Sequence, residues 1–364
     1  MTAAPAPPLL SIRNLRIAFP IDGQHFNVVD GLDLTVPRGK TVALVGESGC
    51  GKSVTALSIL RLLPEPPARI VSGEIHFTDP ARAQTVNILD LSRRMLRRIR
   101  GNRVAMIFQE PMTALNPVYT IGQQIEEALR LHDLVPRREI RVAARELLAK
   151  VGILPPDRRA RDYPHQFSGG MLQRAMIAMA VACNPALLIA DEPTTALDAS
   201  IQKQVLTLLR SLQHETGMSI LLITHDLGVV AEFSHELNIM YAGTIVERAR
   251  TPDILAHPTH PYTQALLRCS MAGTMNRSER LPEIPGQVPP PDQLPKGCRF
   301  HPRCALTERL ARESELPTVS VESPYGPRVL CECVGEEFGK ARSDTSTASS
   351  NHFVLCSPAL RLLN

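Results

Sequence analysis

Residues 41–53, TVALVGESGCGKS, constrain the fold more than any other segment. Thr41 to Val45 is a short, apolar, largely β-branched run, the profile of a strand buried in a parallel sheet. Gly46-x-x-x-x-Gly51-Lys52-Ser53 follows, and then VTALSILRLL, with apolar residues at helical spacing. Strand, glycine-rich turn and helix in that order distinguish a phosphate loop from a chance string of glycines. Glycines let successive backbone N–H groups converge on phosphate oxygens, and the helix N-terminus adds its positive dipole end. The expected nucleotide-contacting residues are therefore Gly46, Glu47, Ser48, Gly49, Cys50, Gly51, Lys52, Ser53 and Val54. Lys52 is expected to neutralise the β- and γ-phosphates, and the Ser53 hydroxyl to ligate Mg²⁺.

A second apolar run, Ala186 to Ala190, ends in two adjacent carboxylates, Asp191 and Glu192. Two acids at the end of a buried strand repel unless a cation sits nearby. Asp191 suits the water-mediated shell of Mg²⁺. Glu192 is left to orient and polarise an attacking water. An exposed acid pair at a strand end is common in isolation, but together with a phosphate loop the pair implies ATP hydrolysis.

Length and composition bound what surrounds this core. The 364 residues suit two domains. A net charge of +4 and only 4% aromatic residues argue against a dedicated nucleic-acid binder. No apolar stretch reaches the length of a membrane span, and Met1 to Leu10 lacks the features of a signal peptide. A soluble cytoplasmic chain is the expectation. MLQRAMIAMAVAC and the run after it imitate a span, but Arg174 and Asn184-Pro185 make that the poorer reading. Prolines 282, 285, 289, 290, 291, 295 and 302 exclude regular structure from that stretch and put a domain boundary between about residues 250 and 295. Beyond Lys340, ARSDTSTASSN reads as a flexible tail. Six arginines between residues 93 and 103 allow contact with nucleic acid or lipid headgroups, but a solvated helix face is the favoured reading.

Between and after the two nucleotide motifs lie residues that narrow the class. Ser168-Gly169-Gly170 opens a helix and supplies a second anion-binding helix end. The order of motifs resembles the ATP-binding-cassette (ABC) ATPases over roughly residues 10–250, with Phe167 to Met171 in place of the family's LSGGQ. That resemblance implies an α/β fold: a RecA-like lobe with the phosphate loop, an antiparallel β subdomain, a helical subdomain at about residues 110–185, and a small C-terminal extension. It further implies that Gln109 senses the γ-phosphate and Mg²⁺, that His225 contacts the γ-phosphate, and that Phe19 stacks on adenine. Thr195 to Asp198 match the loop that meets a partner subunit. In the family, two such domains pair head to tail, each ATP lying between one phosphate loop and the other chain's Ser-Gly-Gly helix.

Three more specific segments, residues 108–129, 257–267 and 284–304, resemble the ATP-binding subunits of prokaryotic oligopeptide, dipeptide and nickel permeases. The resemblance implies an ATPase peripheral to the cytoplasmic face of the membrane that powers peptide import. Its partners are then two transmembrane permease subunits, a second and non-identical ATPase subunit and, indirectly, a solute-binding protein; no nucleic acid is expected. Nickel or another small solute, or a non-transport DNA-linked or regulatory role, remain alternatives. The division that follows is an ATPase domain over 1–250, an extension over 251–340 and a tail over 341–364. In this family the extension often holds a four-iron four-sulfur cluster on four cysteines. Cys298, Cys304 and Cys331 match three family positions, Ala311 stands at the remaining one, and Cys333 is an additional thiol. Cys50, inside the phosphate loop, is expected to block ATP when alkylated.

Overall fold

A computed structural model describes residues 7–82, 84–195, 197–271, 283–295, 297–305 and 353–354. Among the described residues eleven strands run in chain order: β1 Leu10–Ile21, β2 Gln24–Val36, β3 Thr41–Val45, β4 Arg69–Asp79, β5 Gln84–Asn87, β6 Val104–Ile107, β7 Leu187–Asp191, β8 Ser219–Thr224, β9 Glu236–Tyr241, β10 Thr244–Arg250 and β11 Phe353–Val354. They form two sheets. The first is antiparallel, in the order β2-β1-β4-β5. The second has the order β11-β10-β9-β3-β8-β7-β6, with β6, β7, β8, β3 and β9 parallel and β10 and β11 antiparallel at one edge.

The central strands are uninterrupted apolar runs because both faces of the parallel sheet are covered. Alternation then sorts their side chains. Leu187, Ile189, Leu221 and Ile223 enter one core with helix α1 (Lys52–Ile59) and the antiparallel sheet. Leu188, Ala190, Ile220 and Leu222 enter the opposite core. That second core is built on α3 (Pro111–Ala114, through Leu115 after it), α4 (Ile121–Leu131), α5 (Ile140–Lys150), α7 (Gly169–Val181) and α8 (Ala199–Thr216). Short helices α2 (Arg93–Ile99) and α6 (Pro156–Arg159) complete the order up to α8.

Helix boundaries follow their caps. Thr120 and Gln123 form a reciprocal capping box on α4, and Ser168 caps α7. Asp198 caps α8, which stops at Gly217 in the left-handed conformation that glycine tolerates. The span-like apolar segment divides into α7 and β7, separated at Asn184-Pro185. Among the described residues no helix is long and apolar enough to cross a membrane.

Two of the six arginines of the basic segment are structural. Arg100 donates to the carbonyls of Leu60 (2.8 Å) and Arg61 (2.6 Å), and Arg103 pairs with Asp79 (3.0 Å). Arg93, Arg94, Arg97 and Arg98 are exposed on or beside α2, as a solvated face requires.

A third core lies on the other side of β3 and β9. It gathers Val45, Ile239 and Tyr241 with α9 (Leu227–Phe233), α10 (Thr251–Ala256), α11 (Pro261–Met271) and the proline-rich stretch through Phe300. Its polar anchor is Glu247, fully buried on β10, which accepts hydrogen bonds from the backbone N–H groups of Thr259 and His260 (both 2.9 Å). Within the expected tail, Phe353–Val354 adds a strand by pairing with Glu247 and Arg248. An aromatic beside a β-branched residue is suited to such an edge. The other tail residues lie outside the described ones.

Candidate nucleotide site

The chain leaves β3 at Gly46, close against β9. A Cβ at this position would lie 2.1 Å from the Met240 carbonyl oxygen, so only glycine fits. Gly51 has φ +106° and occupies the N-cap position of α1 without any side-chain cap. The first-turn N–H groups of the helix are thereby left to an external acceptor such as phosphate. Ser48 and Gly49 are exposed at the crest of the loop. Lys52 is buried and curls inward, donating to the carbonyls of Gly46 (2.8 Å) and Glu47 (2.9 Å). Val54 packs against the core below. Cys50 is 1% exposed, and burial raises its thiol pKa, so the thiol is shielded in the folded chain.

Asp191 ends β7 at 3% exposure. Burial raises its carboxyl pKa and Glu192 adds to the effect, while a hydrogen bond with Ser53 and the charge of Lys52 oppose it. Its Oδ1 is buried with no hydrogen-bond partner. A buried anionic oxygen left over beside a serine hydroxyl is a donor set that fits Mg²⁺.

Glu192 sits at φ +48°, an uncommon conformation for a side-chain-bearing residue, and its N–H is tied to the Ile223 carbonyl (2.9 Å). Three groups meet its carboxylate. Gln109 Nε2 donates to Oε2 (3.2 Å), Thr195 Oγ1 donates to Oε2 (2.8 Å), and His225 Nδ1 lies 3.4 Å from Oε1. Gln109, Glu192 and His225 follow β6, β7 and β8 in turn, and parallel strands deliver their C-terminal ends to one edge of the sheet. Asp226 caps α9 and accepts from Gln202 of α8 (3.0 Å), fixing the loop that carries His225. Thr195 had been read only as part of a partner-contacting loop. Its nearness in sequence to Glu192 is the signal that would have revealed the hydrogen bond.

The remaining candidate residues stand elsewhere. Ser168, Gly169 and Gly170 begin α7, which packs in the core on the opposite sheet face from α1. A Cβ on Gly170 would lie 2.8 Å from Ile201 Cγ2, so the Ser-Gly-Gly turn rests on the start of α8, close to its cap Asp198. Phe19 lies on β1 opposite Phe26, half-buried against the core that also holds α1. Gln109, expected to sense the γ-phosphate and Mg²⁺, hydrogen-bonds to Glu192. Cys298 is buried in the third core, and Cys304 follows the turn His301–Arg303 beside it. Among the described residues no group of three or more His, Cys, Asp or Glu side chains could hold a metal. Cys331, Cys333 and Ala311 lie outside those residues.

Comparison with known proteins agrees with this geometry. The ABC transporter family matches residues 29–195, and the family described as "Oligopeptide/dipeptide transporter, C-terminal region" matches residues 246–309. A Brucella melitensis biotype 1 protein named for peptide import and ATP binding is 49% identical over 328 residues, covering 89% of this chain and 97% of that protein. The oligopeptide transport ATP-binding protein AppD of Bacillus subtilis is 48% identical over 296 residues, 81% of this chain and 88% of AppD. The dimeric ATP-binding cassette MJ0796, solved in a post-hydrolysis state with ADP and Pi, superposes with a TM-score of 0.59 at 26% identity, covering 66% of this chain and 98% of that one. With a phosphate loop, an acid pair and a peptide-transporter extension in one fold, the chain belongs to the ABC transporter family as an ATP-binding, ATP-hydrolysing member.

Proposed function

We propose that this chain is the ATP-hydrolysing subunit of a peptide importer. The observation that carries the reading is the Glu192 carboxylate, met by Gln109 and His225 from two other loops and by Thr195 from its own, next to Ser53 and the buried Asp191. In this reading the backbone of residues 46–54 and Lys52 receive the ATP phosphates, with Phe19 against the adenine. Ser53 and Asp191 would hold Mg²⁺, and Gln109, here hydrogen-bonded to Glu192, would sense the γ-phosphate and the ion. When bound, the ion supplies charge neutralisation at the β- and γ-phosphates. Glu192 orients and polarises the attacking water and accepts its proton. Gln109 and Thr195 hold the carboxylate by donating hydrogen bonds, and His225, exposed on its other oxygen, reaches for the γ-phosphate.

Because α1 and α7 pack on opposite sheet faces, the Ser168-Gly169-Gly170 turn suits the ATP of a second cassette, with Asp198 at the contact. Binding energy from the γ-phosphate then favours the closed pair, and hydrolysis releases it. The partners in this reading are a related but non-identical ATPase, two transmembrane permease subunits and, through them, a solute-binding protein, with the chain peripheral at the cytoplasmic face. Met112, Val118 and Tyr119 are exposed apolar side chains beside the Gln109 loop, a surface suited to a permease helix. Cys298 and Cys304 are two thiols where such a cluster needs four, and Cys331 and Cys333 lie outside the described residues, so no step is assigned to an iron–sulfur cluster.

Reconstitution of the chain with its permease subunits in vesicles tests the proposal. Peptide uptake is expected to require hydrolysable ATP and this chain. Uptake that proceeds without the chain, or ATPase activity stimulated by DNA and not by permease, overturns it.

A further inference from the structure

Glu47, the first residue after Gly46 in the phosphate loop, is held from the far end of the sequence. Its backbone N–H donates to the Tyr262 hydroxyl (3.0 Å), which also hydrogen-bonds its carboxylate. That carboxylate meets the Arg303 guanidinium through two parallel hydrogen bonds, Nη1–Oε1 at 2.9 Å and Nη2–Oε2 at 3.1 Å. Arg303 is itself built in. Its side chain is 4% exposed, its Nε donates to the Pro285 carbonyl (2.8 Å), and it lies over the rings of Tyr241 and Phe300. Tyr262, Tyr241 and Phe300 contact one another in the third core.

This arrangement does two things to the loop. A two-point guanidinium–carboxylate pair fixes the Glu47 carboxylate in direction as well as distance, and the N–H bond to the Tyr262 hydroxyl ties the backbone at the same residue. The Glu47 carbonyl, in turn, is one of the two that hold Lys52. The pair also neutralises a negative charge carried by the phosphate loop itself, which would otherwise oppose binding of an anionic ligand. Both effects favour nucleotide binding, and neither requires contact between Arg303 and the nucleotide.

We propose that Arg303 and Tyr262 are positioning residues for ATP binding, through which the C-terminal segment sets the conformation and charge of the phosphate loop at Glu47. The inference rests on residues 46–54 being the nucleotide loop, a reading that ATP binding by the unaltered chain checks separately.

The test measures Mg-ATP affinity and steady-state ATPase kinetics on the full-length chain. Arg303→Met is expected to weaken ATP binding by about tenfold, with the loss in apparent KM and not in kcat. Arg303→Lys keeps the charge but not the paired geometry and should fall between the two. Adding Glu47→Gln to Arg303→Met removes the uncovered charge and should recover about threefold of the loss. A merely structural role for Arg303 predicts no such recovery. Tyr262→Phe keeps the ring in its core, loses only the hydroxyl, and should weaken ATP by about fivefold; it decides the matter if Arg303→Met does not fold. ATP affinity unchanged in Tyr262→Phe and in any folded Arg303 variant overturns the proposal, as does a loss confined to kcat.

Discussion

Replacing Gly46 by alanine is the sharpest perturbation of the phosphate loop that the geometry allows. The added Cβ would lie 2.1 Å from the Met240 carbonyl oxygen and 2.8 Å from Cys50 Sγ, where real Cβ contacts essentially never fall below 3.0 Å. Opening the first contact from 2.1 to 3.0 Å requires a shift of about 0.9 Å between the start of the loop and β9. The obstacle is main chain of the sheet, so no rotamer relieves it. Overpacking of this kind costs about 2 kcal/mol. For a cassette of this size that lowers the melting temperature by about 4–8 °C. The same shift carries the Gly46 and Glu47 carbonyls away from Lys52, weakening Mg-ATP binding, and misplacing a reacting geometry by about 1 Å costs about a hundredfold in turnover. Gly49→Ala is the control for stability. Nothing lies within 4 Å of its added Cβ, and the strain of φ +79° alone costs about 1 kcal/mol. Thermal melts of the nucleotide-free variants and titration with Mg-ATP measure both effects. If Gly46→Ala melts with the parent and binds ATP equally well, the close approach of loop and sheet is not what makes glycine necessary.

Two further outcomes follow from the site. Burial raises the Asp191 carboxyl pKa, so the folded chain binds that proton more readily than the unfolded one. Stability from this group therefore falls as pH rises from the ordinary carboxylate range through the raised folded value, and the cost is fully present above it. Asp191→Asn should melt at or above the parent at neutral pH without nucleotide, with a flatter pH profile, and lose the added stability conferred by Mg-ATP. A destabilised variant that Mg-ATP still protects would count against Asp191 as the Mg²⁺ residue. Because Ala311 stands at one of the four ligand positions, anaerobically purified protein is expected to be colourless and iron-free; a visible charge-transfer band with stoichiometric iron would reverse that.

What could be read from the sequence is what local chemistry determines. The phosphate loop, the acid pair and the helix opening at Ser168 each combine a strand or helix pattern with the reactive residues in one short stretch. Parallel strands then gather Gln109, Glu192 and His225 at one edge by topology alone, so their order along the chain already foretells their meeting. The grip of Arg303 and Tyr262 on Glu47 could not be read this way. The contacts join residues more than 200 positions apart, and no periodicity links them. Both residues do fall inside segments that resembled the permease ATPases, which marked them as distinctive without saying what they touch. The burial of Cys50 is a related case: its position in the loop was legible, but its packing against Gly46 and β9 was not. Phe353–Val354 escaped because a two-residue strand acquires meaning only beside β10.

The central claim, that Glu192 performs the hydrolytic step in a site assembled for Mg-ATP, is tested most directly by Glu192→Gln. The amide keeps the size of the side chain and one acceptor oxygen for Gln109 and Thr195, and removes its ability to accept a proton. The account predicts that the variant binds Mg-ATP with near-parental affinity while steady-state turnover falls by about a hundredfold or more. Turnover retained at the parental rate would contradict it.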